Sequence, residues 1–300
     1  MAFGAAMLLG VVMLVLHFQK ADDVVEQLAF KSRRIDLVEG MHLAVASASE
    51  AEKSAVLATT DKDSKSYADE ARRATAEIEG ERGELVELLE AKGTQHERDL
   101  LVEFSHRFAE LRRIDDELLD LAVKDTNLKA FGLAFGPAAE AIKAMDGALS
   151  RLMARGATSP DAGNVTSLAL GSLAAALRIQ ALLAPHIAEE SDSKMDELEA
   201  AMSSEDRRVR QGLGELAALQ ALKGDRDLEA AAAAYTRFAE LRRQILALSR
   251  ENTNVRSLAI SLNQKRKAML LAEEVLVALQ QAIEEEPVAG MQQSRPAKPR

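Results

Sequence analysis

Two Glu-x-x-His spacings are the residues here best suited to chemistry: Glu39-x-x-His42 and Glu103-x-x-His106. On helices that bring them together, and with two further carboxylates such as Glu79 or Glu81 and Glu140, they would be the donor set of a di-iron four-helix bundle. The surrounding pattern argues against that use. Leu101, Phe104, Phe108, Leu111 and Leu118 form an apolar seam, with Leu101 and Phe108 at heptad position a and Phe104 at d. His106 then falls at f and Glu103 at c, on the solvent side, whereas a metal needs ligands that converge inside. No metal and no cofactor is therefore expected. His17, His96 and His186 share no ligand spacing, no nucleophile elbow is present, and no Gly-rich phosphate loop follows a strand. The chain is not expected to be an enzyme.

The other candidates are duplicated arginines. Arg107-Phe-Ala-Glu-Leu-Arg112-Arg113 recurs as Arg237-Phe-Ala-Glu-Leu-Arg242-Arg243. Arginines beside a helical seam could grip a ligand carboxylate bidentately. Pairing with Glu110 and Glu240 along a solvated helix face is the simpler use of the same charges. Thr126-Asn127 and Thr253-Asn254 could likewise touch a ligand at a bundle end, but Thr and Asn at such points commonly cap the next helix.

These motifs belong to a larger duplication. Asp125-Thr126-Asn127 answers Asn252-Thr253-Asn254, and Asp63-Ser64-Lys65 answers Asp192-Ser193-Lys194, all at offsets of roughly 130 residues in the same order. Each copy reads as four helices. In the first the breaks fall at Thr59 to Asp63, at Lys92-Gly93-Thr94 and after Lys124. In the second they fall at Glu189 to Ser193, at Lys223-Gly224-Asp225 and at Glu251 to Asn254. Pro137 is expected to kink the fourth helix of the first copy. The seam of the second copy runs Ala231, Ala234, Phe238, Leu241, Ile245 and Leu248. Long helices with short breaks predict an all-α fold of tandem up-down-up-down four-helix bundles. The expected division is 19–155 and 164–286, with a linker at 156–163 and a disordered tail at 287–300.

Composition agrees with helix. Of 300 residues 47% are hydrophobic, only 3% are aromatic, and there is no Cys, so disulfides and thiolate chemistry are excluded. A net charge of −10 without a basic cluster in the body excludes a phosphate-binding surface, so no nucleic-acid partner is expected. Residues 2–18 form an uncharged apolar run, read as a transmembrane anchor at 1–18. The apolar stretch 165–177 reads as too short to span.

The first copy with its anchor resembles the four-helix-bundle extracytoplasmic sensor domains of methyl-accepting chemotaxis proteins and related sensor kinases. The resemblance rests on Ala2-Phe-Gly-Ala-Ala-Met-Leu-Leu, on Glu77-Ile-Glu-Gly-Glu-Arg-Gly-Glu-Leu, on Glu97-Arg-Asp-Leu-Leu-Val-Glu-Phe and on Arg107-Phe-Ala-Glu-Leu-Arg-Arg. It implies an inner-membrane, single-pass protein with a periplasmic helical body that dimerises with a second copy. Such a protein binds a small molecule or partner protein and signals through a partner or oligomer. A structural or scaffold protein of the cell envelope is the alternative.

Overall fold

The computed structural model describes the backbone of residues 2–156 and 160–288, with side chains from residue 22 onward. Among these residues every regular element is helical: α1 (Ala2–Leu57), α2 (Asp61–Lys92), α3 (Gln95–Ala122), α4 (Thr126–Phe135), α5 (Pro137–Gly156), α6 (Ala162–Ala188), α7 (Asp192–Ala218), α8 (Arg226–Glu251), α9 (Thr253–Ile260) and α10 (Arg266–Glu285). A 3-10 turn (Gln220–Leu222) follows α7, and a π turn (Ser261–Lys265) joins α9 to α10.

Local chemistry sets the breaks. Thr60 Oγ1 accepts from Asp63 N to start α2, and Ser191 Oγ accepts from Lys194 N to start α7. Thr94 and Glu97 form a reciprocal capping box, each side chain accepting the other's backbone N–H. Asp225 caps α8 by accepting from Asp227 N and Leu228 N at 2.8 and 3.0 Å. Gly224, at φ +69, supplies the left-handed residue just before that cap. The fourth helix of the first copy is divided at Gly136, immediately before Pro137.

The helices collect into two compact units, and these are not consecutive stretches of chain. One gathers 1–55, 65–117 and 260–300; the other gathers 56–64 and 118–259. The expected division at 19–155 and 164–286 thus differs from the observed one. The fourth helix of the first copy belongs to the unit holding the first three helices of the second. The chain from Ile260 on, including α10, belongs to the unit holding most of the first three helices of the first, while α9 up to Ala259 stays with its own copy. Periodicity fixes which face of a helix is buried but not which copy buries it.

In the first unit Val38, Met41, Val45, Ile78, Leu85, Phe104, Phe108, Ala272, Leu276 and Leu279 make the core. Helices α1 and α10 run antiparallel there: Lys31 and Arg34 meet Glu284 and Glu286, while Lys265 meets Glu52. In the second unit α5 packs on α6 and α8, and α7 on α6 and α8, around Ile142, Leu149, Ile179, Leu183, Leu216, Phe238 and Ile245. Helices α6 and α7 approach so closely that a Cβ on Gly212 would sit 2.2 Å from Ser172 Oγ, which donates to Leu168 O.

The expected anchor at 1–18 continues α1 in its backbone, and its side chains lie outside the described residues. Of the expected linker and tail, residues 157–159 and 289–300 also lie outside them. One described helix, α6, is long and apolar enough to cross a membrane. The apolar stretch expected to end before Arg178 continues as helix to Ala188. One stripe of it (Val165, Ala169, Ala176, Ile179, Leu183) is buried in the second unit's core.

Gly212→Ala is expected to cost about 1–2 kcal/mol in urea unfolding through overpacking against Ser172. Adding Ser172→Ala should recover most of the loss, because the two Cβ positions would be separated by an ordinary contact of 3.5 Å.

Candidate functional site

Three constellations of polar side chains stand out among the described residues. The first stands at the duplicated triplets in the second unit. Among the described residues, Asp125 and Asn252 are the two non-glycine residues at positive φ, 50 and 54°. Asn252 ends α8 and Asp125 follows the turn after α3, and in each case the next helix begins with backbone N–H groups that have no partner of their own. The other copy supplies the partners. Thr126 N donates to Thr253 Oγ1 and Thr253 N to Thr126 Oγ1, both at 3.2 Å, with the hydroxyls also 3.2 Å apart. Asn127 N donates to Asn254 Oδ1 at 3.1 Å and Asn254 N to Asn127 Oδ1 at 3.2 Å. The Asn127 amide also donates to Ile187 O and Asn252 Oδ1, both at 2.7 Å, anchoring the clasp to the end of α6. Thr126-Asn127 and Thr253-Asn254 are therefore caps, engaged with each other.

The second constellation is a buried ionic layer in the first unit. Lys265 Nζ lies 3.0 Å from Glu52 Oε2 and 2.9 Å from Asp115 Oδ1, all three side chains buried. Burial pushes the Asp115 carboxyl above its usual range, against the opposing pull of the Lys265 charge. Ser49 Oγ and Glu52 Oε1 are buried without a hydrogen-bond partner. Ser49, Thr75, Asp115 and Lys265 border a void of about 10 Å³, close to the room one water needs. The π turn brings Lys265 onto the buried side of its helix, a local irregularity that often marks functional positions.

No expectation from sequence covers this layer, although its residues carry a signal. Lys265 lies seven residues before Ala272 and fourteen before Leu279. Glu52 follows Val38 and Val45 at the same spacing, and Asp115 follows Leu101 and Phe108. All three charges extend apolar a-position stripes.

The third constellation is an open groove of about 300 Å³ between α3 and the α10 segment. Ile114, Ala268 and Leu271 floor it, while Arg107, His106, Glu110 and Lys267 supply its charges and polar edges. The nominated arginines separate around it. Arg107 lines the groove and pairs with Glu103 at 3.3 Å. Arg112 reaches Glu79 of α2 at 3.1 Å, and Arg113 reaches Glu110 at 2.9 Å along its own helix. On α8, Arg237 faces Glu240 at 3.7 Å and Arg243 is exposed. Arg242 turns inward, 3.2 Å from Asp206 Oδ1. Asp206 also accepts from Tyr235 and Arg210. Burial would raise the Asp206 carboxyl, but these bonds and the Arg242 charge hold it below its usual range. Burial and the Asp206 carboxylate together push the Tyr235 hydroxyl upward.

The Glu-x-x-His pairs stay apart in role. His42 is half-buried, and burial lowers its pKa against the pull of Glu273 and Glu39. His106 is exposed in the groove. Among the described residues no group of three or more His, Cys, Asp or Glu side chains is placed to hold a metal ion. His186 is buried in the second unit, bonded to Ser249 Oγ at 2.8 Å and Glu199 Oε1 at 2.9 Å.

Lys265→Met strands two buried carboxylates and is expected to cost about 3–5 kcal/mol in urea unfolding. Neutralising the layer, as Lys265→Met with Glu52→Gln and Asp115→Asn, should restore most of that loss.

No protein-family model matches this chain, and no curated protein or solved structure matches it either.

Proposed function

We propose that this chain is a membrane-anchored sensory module made of up-down-up-down four-helix bundles that binds a small carboxylate ligand. The groove beside Arg107 is the observation that carries this reading. Arg107 from α3 and Lys267 from the α10 segment offer two cations over an apolar floor of Ile114, Ala268 and Leu271. That arrangement suits a short carbon chain ending in a carboxylate, with the guanidinium giving bidentate contact and the floor taking the methylenes. The helices that form it also suit a sensor. α1 continues the apolar run 2–18, and α10 returns to the same end of the unit, pinned by Arg34 to Glu286. In this reading residues 1–18 span the inner membrane, the body is periplasmic, and the signal leaves through a partner or a second copy. No catalytic step is assigned.

A scaffold of the cell envelope is the second reading, favoured by Phe131 and Phe135. These two rings are 51% and 50% exposed and lie 4.3 Å apart on α4, an apolar face of the kind that docks other proteins.

Thermal unfolding of the full chain with a panel of short mono- and dicarboxylates separates the two. The sensor reading expects at least one acid to raise Tm by several degrees at millimolar concentration, and Arg107→Ala with Lys267→Ala to abolish the shift. It also expects a reporter fused after Arg300 to lie outside the cytoplasm. A cytoplasmic reporter together with no shift from any acid overturns it.

A further inference from the structure

The clasp of the second unit repeats its backbone-to-side-chain bonds in both copies and departs from symmetry in two side-chain bonds, Asn127 Nδ2 to Ile187 O and Asn252 Nδ2 to Glu189 O. On one side Asn252 accepts from Asn127 Nδ2 and uses its own Nδ2 to donate to Glu189 O at 2.8 Å. On the other side Asp125 accepts from Asn254 Nδ2 at 3.0 Å, matching the first of these bonds. For the second it offers a carboxyl oxygen where its counterpart offers an N–H. Asp125 is fully buried, and its Oδ2 has no hydrogen-bond partner. An orphaned buried acceptor is destabilising, because it has given up its bonds to water and gained none in the protein. A proton on Oδ2 would turn the orphan into the donor that the duplicated geometry calls for.

An acceptor is at hand. The Ser64 hydroxyl lies beside the Asp125 carboxyl, where donating to it would favour the ionised form, but its single hydrogen is given to Ala122 O at 3.1 Å. Its oxygen lone pairs are left to accept. The charged groups facing Asp125 are Asp61 from α2, which disfavours a second negative charge, and Lys129 from α4, which pairs with Asp61 at 3.1 Å. Asn254 from α9 is the remaining polar neighbour.

We propose that Asp125 holds a proton in the folded protein, donated from Oδ2 to Ser64 Oγ, and that this proton makes the clasp a pH-sensitive latch. Burial, the largest influence on the group, raises its pKa above the usual carboxyl range, in agreement with the geometry. The direction of the effect follows. A carboxyl that holds its proton more tightly when folded contributes stability in full below its unfolded pKa. That contribution is lost as pH rises through the folded value. The clasp is firm in acid and loosens on the way to neutrality.

The molecule supplies its own control, since Asn occupies the same left-handed position at 252. Urea unfolding of the full chain is measured across the acid-to-neutral range for wild type, Asp125→Asn and Asn252→Asp. Asp125→Asn is expected to raise the folding equilibrium constant at neutral pH by about tenfold, the size of one relieved buried orphan. It should also remove part of the wild-type loss of stability with rising pH. Asn252→Asp should add a second loss of the same sign. The infrared band of a protonated, buried carboxyl should be present in wild type at weakly acidic pH and missing from Asp125→Asn. Parallel pH profiles for wild type and Asp125→Asn, or no such band in wild type, overturn the proposal. Carboxylate binding in the groove is read from a different unit and a different measurement, so either idea can fail alone.

Discussion

The structure depends on one exchange of hydrogen bonds, in which Thr126-Asn127 and Thr253-Asn254 cap each other's helices. A helix start leaves up to four backbone N–H groups without partners, and burying them unpaired costs more than most single contacts return. Asp125 and Asn252 precede two such starts in the left-handed conformation, Asn252 at the end of α8 and Asp125 after the turn that follows α3. The residues that follow are buried, so water cannot take up the loose ends. Each copy lacks the groups to satisfy itself and finds them on the other. Duplication is thus a structural requirement here, because one copy alone would leave an uncapped, buried helix start.

Much of this organisation was legible in the residues. Ser, Thr, Asp and Gly punctuation placed the ends of α1, α2, α3, α6 and α8 within a few positions, because capping is local chemistry with short reach. The spacing of Leu101, Phe104, Phe108 and Leu111 identified the buried face of α3. The Thr-Asn pairs read correctly as caps, although not as caps for one another, since that depends on contacts about 127 residues apart. Of the arginines, only Arg107 borders the groove and only Arg242 turns inward. Sequence could not separate these two, because residues on neighbouring heptad positions differ in exposure only through the particular helices packed beside them. Lys267, the second cation of the groove, had no repeated motif to draw attention to it.

The exchange of fourth helices was also hidden from periodicity, but a different property of the sequence selects it. In the first unit the core stripes end in charge: Val38, Val45, Glu52 on α1 and Leu101, Phe108, Asp115 on α3. A fourth helix packed there must bring a cation to that level or leave two buried carboxylates unpaired. The π turn and α10 bring Lys265, Ala272 and Leu279 at the same spacing. Helix α5 brings Ala138, Met145 and Leu152, with no charge among them.

The second unit makes the opposite demand. Its matching stripes are Ala169, Ala176, Leu183 on α6 and Ala231, Phe238, Ile245 on α8, apolar throughout. A lysine placed against them would be desolvated without a counter-ion, which costs several kcal/mol by any estimate of ion burial (roughly 3–5 from broken pairs). Helix α5 meets that surface with Ala138 and Met145, whereas α10 would meet it with Lys265. One polar layer therefore assigns both fourth helices at once. It contributes little net stability compared with a well-packed apolar layer, because desolvating three ionic groups offsets most of their attraction. Its effect is on choice: it makes the wrong pairing expensive in both units, much as a buried polar residue fixes partner and register in a coiled coil. Charge at three a positions and the mutual caps at 126–127 and 253–254 act on the same two chain segments. The caps require that the copies meet, and the charges decide which helix each copy gives to the other.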